Sequence, residues 1–82
     1  MLLCRVTGSV VSTRKHEKLT GSRFLLVETL TKPVSRFVAA DHLGAGVGEK
    51  VLVSCGSAAR LAVSPHFAEA PVDAAVVGII DD

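Results

Sequence analysis

Hydrophobic and polar residues alternate with a period of two along several short stretches of this chain, and turn-forming residues separate the stretches. From Leu2 to about Val11, Leu2, Cys4 and Val6 fall on one side and Leu3, Arg5 and Thr7 on the other, which predicts a strand. Gly8 falls where a bulge or a barrel bend is expected. The polar run from Thr13 closes in a turn at Leu19-Thr20-Gly21. Further strands are predicted from Arg23 to Leu30, from Ser35 to Ala40, from Glu49 to Cys55 and from Asp73 to Ile80. Thr31-Lys32-Pro33 links the second to the third, and a glycine-rich loop from Asp41 to Gly48 links the third to the fourth. After the fourth, Ser57 is placed to cap a helix over 58–63, two turns at most, that stops before Ser64-Pro65. From Pro65 to Pro71 the chain is read as irregular.

Five strands and one short helix predict an all-β fold, a small five-stranded OB-like β-barrel that is partly open. Composition agrees, because 13 Val, 2 Ile and 5 Thr make 20 of the 82 residues β-branched. The whole chain, 1–82, is expected to form a single domain. The last strand is the most informative. Val76, Gly78 and Ile80 alternate with Ala75, Val77 and Ile79, so both faces are apolar. An antiparallel strand usually turns one face to water, and a barrel this small has one interior. A neighbouring subunit is expected to cover the other side. A content of 49% hydrophobic residues in so short a chain points the same way.

The longest near-apolar run, Ala74 to Ile80, is far shorter than the roughly 20 residues of a membrane helix, so no membrane association is expected. The start shows no secretory signal pattern. Cys4 and Cys55 are therefore read as reduced thiols in a cytoplasmic protein, both inside strands on the inward side, inert and slow to alkylate. Their spacing fits no zinc motif, and no cofactor is expected. His16, His42 and His66 lie in or beside loops, without a Gly-x-Ser-x-Gly elbow, so no catalytic residues are assigned. Gly44-Ala45-Gly46-Val47-Gly48-Glu49 is not a dinucleotide fingerprint, since the third glycine comes one residue early and a strand follows. It reads as a tight loop that needs positive φ or close backbone approach. Asp41, and likewise Asp73, is expected to accept backbone amides in an Asx-type turn.

Charge adds polarity. Residues 1–36 carry seven Lys and Arg against two acids, and residues 37–82 carry two against six, for a net charge of +1. Arg14, Lys15, Lys18 and Arg23 make a basic stretch, so an OB-fold nucleic-acid-binding module is the alternative function. With no Trp or Tyr and only Phe24 nearby, stacking partners are scarce. A solvated loop facing an acid such as Glu69 or Asp81 across an interface is preferred.

Several blocks together resemble the CcmL/EutN family of bacterial microcompartment vertex proteins. They are Val6-Thr7-Gly8-Ser9-Val10-Val11-Ser12-Thr13-Arg14-Lys15, then Leu19-Thr20-Gly21 and Phe24-Leu25-Leu26-Val27. Next come the run from Ala40 to Val53, Gly56-Ser57-Ala58-Ala59-Arg60, and the run from Pro71 to Asp81. The resemblance implies a structural, non-enzymatic β-barrel that assembles as a homopentamer and closes the vertices of a polyhedral shell whose facets are hexameric shell proteins. It implies no nucleic-acid partner. It also implies that the loop at Gly44, Ala45 and Gly46 lies toward the fivefold region. Val76, Val77, Ile79 and Ile80 are expected to supply subunit contacts. The link Thr31-Lys32-Pro33-Val34-Ser35 is shorter than the insertion common at that point in the family.

Overall fold

The computed structural model describes residues 1–11, 15–19, 21–59 and 72–81. Five strands, β1 (Leu2–Val10), β2 (Arg23–Thr29), β3 (Arg36–Asp41), β4 (Lys50–Cys55) and β5 (Ala74–Ile80), form one closed barrel in the order β1-β2-β3-β5-β4. The expectation of a partly open barrel is corrected. β4 returns to pair with β1, and β3 meets β5 in parallel at Ala40–Ala75, which closes the last seam. The other seams are antiparallel. Strand boundaries fall within a residue or so of those predicted.

Inward residues of every strand fill the barrel. Cys4 and Val6 of β1, Leu25 and Val27 of β2, Ala39 of β3, Val51 and Val53 of β4, and Ala74 and Val76 of β5 form one buried cluster. The predicted bulge is present, because the β1–β2 register shifts between Val6 and Gly8. A second shift lies between Leu52 and Val53, opposite Val77. It re-phases β5, so that Ala74, Val76 and then Ile79 face the core instead of strictly alternating residues. An extra residue on one strand reverses the facing of everything beyond it. The two clean faces read from the sequence are therefore corrected.

A smaller cluster sits outside the barrel wall. Ala40, Ala75, Ala59 and Val72 are buried together, with Leu19 and Phe24 packed against them. Leu19 closes a 3-10 turn, Glu17–Leu19, where the sequence was read as a turn only. The outer side of β5 near Ala75 is thus covered by the chain itself, and no second subunit is needed there. The predicted helix begins in helical backbone at Ala58 and Ala59, and its remainder, with Arg14, His66 and Glu69, lies outside the described residues.

Candidate functional site

The most organised polar feature is the loop between β3 and β4. Asp41 ends β3 with its carboxylate almost wholly buried. Its Oδ1 accepts the Leu43 amide at 2.9 Å, and its Oδ2 accepts those of Gly44 and Ala45 at 3.2 and 2.9 Å. This is the expected Asx-type turn, extended by two residues. Arg23, opposite Asp41 in the β2–β3 register, places Nη1 3.5 Å from Oδ2 and donates through Nη2 to the Ala45 carbonyl at 3.4 Å. The bonds from the Leu43 and Ala45 amides to the ionised carboxylate are charge-assisted, a class about twice as strong as neutral ones, while the Arg23 contacts are longer.

At the far end of the loop, Glu49 Oε1 accepts the Gly46 amide at 2.7 Å while the Glu49 amide donates to the Gly46 carbonyl. The loop base is laced to β1, because Val6 donates to the Glu49 carbonyl, Gly48 donates to that of Val6, and Arg5 Nη1 reaches the Gly48 carbonyl. Gly44 and Gly48 have φ of 87° and 92°, where side chains other than glycine are strained. These glycines are accounted for within one subunit. Ala45 points into the barrel core and is fully buried. The loop instead exposes Leu43 and Val47, at 53% and 67%, two residues that the sequence reading did not single out. Both are large apolar side chains presented to solvent from a loop whose backbone is held by its own hydrogen bonds.

Of the predicted contact residues, Val76 lies in the barrel interior, Val77 is half-buried at the bulge, Ile79 packs against the core, and Ile80 is exposed opposite Lys50. Leu3, Leu30 and Val38 add to the exposed apolar surface. Alternation alone marks the outward positions Leu3 and Val38, but not whether anything covers them.

Candidate chemistry is dispersed. Cys4 is buried, and burial followed by the proximity of Cys55 pushes its thiol above its ordinary value near 9. Cys55, expected to be inward, is exposed, because β4 ends there and the barrel interior ends with it. His16 and His42 are on the surface, the latter 3.4 Å from the Ser22 hydroxyl. Among the described residues no cluster of His, Cys, Asp or Glu is placed to hold a metal ion. Asp73 joins the frame through its backbone carbonyl, which accepts the Gly56 amide at 2.7 Å. In the basic stretch Arg23 is engaged with Asp41, and Phe24, half-buried, packs against the second cluster.

Residues 1–81 match the model of the family described as ethanolamine utilisation protein EutN/carboxysome. The chain is 47% identical, over 85 residues, to the bacterial microcompartment shell vertex protein GrpN of Rhodospirillum rubrum, an alignment that covers 99% of this chain and 93% of that protein. The structure of Gloeobacter violaceus CcmL superposes with a TM-score of 0.90 at 44% identity, covering 99% of this chain and 86% of the other. The GrpN pentameric microcompartment shell protein from Rhodospirillum rubrum superposes at 0.82 with 46% identity, covering 100% and 94%.

Proposed function

Because this chain belongs to the EutN/carboxysome family, we propose that it is a structural subunit of a bacterial microcompartment shell, five copies closing into a ring at each vertex. The observation that carries this reading is the match of the whole barrel to relatives named as shell vertex proteins, one of them described as pentameric.

The mechanism is geometric. A flat hexagonal layer cannot close on itself, and fivefold positions supply the curvature. A head-to-tail contact whose rotation closes after five copies makes such a position. The barrel suits this role, since its fold is complete within one chain while aliphatic side chains remain on its outside. Hexameric facet proteins are the partners at the outer edge of the ring, and the exposed charged residues form the rim that meets them. The loop at Gly44–Ala45–Gly46 approaches the fivefold region, where its exposed neighbours Leu43 and Val47 would make the contacts and Ala45 none. The ring assembles in the cytoplasm with the rest of the shell.

The deciding experiment is the native mass of the purified protein by native mass spectrometry or light scattering. A species of about 42 kDa, five times the 8.5 kDa chain, is expected of a closed fivefold ring. A stable monomer would overturn the reading.

A further inference from the structure

We propose that the barrel mouth beside β1 and β2 binds a small phosphate monoester, whose phosphate is held by Lys15, Arg23 and two serine hydroxyls. The site lies within one chain and does not rest on the ring. The end of β1 and the start of β2 border a groove of about 330 Å³, a size within the range of small-molecule sites. Ser9, Lys15, Ser22 and Arg23 give it a polar lining, Val10 and Phe24 an apolar one, and no carboxylate lines it. The bulge of β1 composes this lining. Cys4 and Val6 face the core, so strict alternation would turn Val10 inward and Ser9 outward. The shift between Val6 and Gly8 instead sets Ser9 opposite the core residue Leu25, and Val10 opposite Phe24. Ser9 therefore shares a face with Leu25 and with Arg23, two residues before it on β2. Here β1 runs past the core, and Ser9 is exposed. A hydroxyl thus stands on the guanidinium's side of the sheet, where an unshifted strand would place Val10.

The donors at this mouth have bonds to spare. Arg23 directs one nitrogen at Asp41 and one at the Ala45 carbonyl, at 3.5 and 3.4 Å, and its side chain is 57% exposed. A guanidinium carries five N–H donors, so most of them remain for a ligand. The Asp41 carboxylate is wholly buried, is held by three amides and does not reach the groove. Lys15 is exposed, with no partner among the described residues. Ser22 Oγ lies 3.4 Å from His42 Nε2, and a hydroxyl that donates or accepts one bond can still make another. Two cations and two hydroxyls suit a doubly charged tetrahedral group, to which arginine presents a fork and lysine a point charge. Val10 and the half-buried ring of Phe24 then meet the body of the ester. The groove beside Val38 provides a contrast, since it is lined by Asp73 and by no cation. A nucleic acid would call for a track of cations with stacking rings along it, whereas these groups converge on one cavity.

The test is calorimetric titration of the purified protein, in its native oligomeric state, with phenyl phosphate at constant ionic strength. Saturable binding of one ligand per chain is expected. Inorganic phosphate should bind more weakly, because it leaves Val10 and Phe24 untouched. Lys15→Gln should weaken phenyl phosphate about tenfold, the loss of one charge-assisted contact, and Ser9→Ala should weaken it less. Lys32→Gln removes the same charge from the exposed link between β2 and β3 and should change nothing. Lys15, Ser9 and Lys32 are all exposed, so each variant is expected to keep the circular dichroism of the wild type. Absence of saturation, or equal losses in Lys15→Gln and Lys32→Gln, would overturn the site. Equal affinity for the two phosphates would overturn the ester as its ligand. A single-stranded oligonucleotide that binds more tightly than phenyl phosphate, with an affinity falling steeply with salt, would overturn the small-molecule assignment.

Discussion

A single carboxylate does most to shape the β3–β4 loop. Asp41→Ala removes the acceptor of three amides and leaves Ala45, which is buried, without its partner. A loss of about 3 kcal/mol in unfolding free energy is expected, read from the denaturant midpoint. Gly48 provides a contrast, since nothing lies within 4 Å of an added Cβ and only its φ resists substitution. Gly48→Ala is expected to cost about 1–2 kcal/mol by the same measurement, whereas Gly78→Ala should leave the subunit's own stability nearly unchanged. The two thiols separate as well. Cys55 is expected to react with an alkylating reagent in the native state and Cys4 only on unfolding, visible by mass after timed quenching. The Cys4 thiol keeps its proton in the folded chain to higher pH than in the unfolded one. Its contribution to stability is therefore full below the ordinary thiol value near 9 and falls as pH rises through the raised one. Thermal midpoints should show this alkaline decline in the wild type and less of it in Cys4→Ala. With no Tyr in the chain, no phenol obscures that window.

Strands were largely legible from alternation, because each buries one side and the breakers between them are unambiguous. Asp41 was equally legible as a turn former, since the residue type and its place before a glycine loop define the local hydrogen bonds. What alternation did not show is phase. The bulge at Val77 needs an unequal count of residues on β5 and on its partner β4, and that partner is set only once the barrel closes. The same holds for Cys55, whose facing followed the strand's period while its burial depended on where the barrel ends. Nor did the sequence show that Leu19, Phe24, Ala59 and Val72 converge on β5, since these residues lie on segments far apart in the chain. The element-level prediction concerns the bulge. Val77→Asp places a carboxylate at a half-buried position beside Val76, where an unpaired charge costs several kcal/mol. Sedimentation should show loss of the ring, and a fully pentameric variant would remove Val77 from the contact.

At the scale of the whole molecule, function rests on shape, and no reaction has to be accommodated. Exposed aliphatic side chains that would be a liability on a lone monomer are what a ring subunit requires. Leu43→Glu tests the placement of the loop. If five copies approach one another at the axis, five added carboxylates repel and the ring should dissociate at lower protein concentration, most strongly at low salt. Unchanged stability at low salt would move the loop to another part of the shell. Closure of the barrel has one further consequence. Four of its seams are ladders of several residue pairs, and the fifth is the single parallel pair Ala40–Ala75. Such a cylinder is mechanically uneven, like a stave barrel with one loose joint. Thermal breathing should begin there, with the amides along β3 on its β5 side exchanging with deuterium ahead of the rest of the wall.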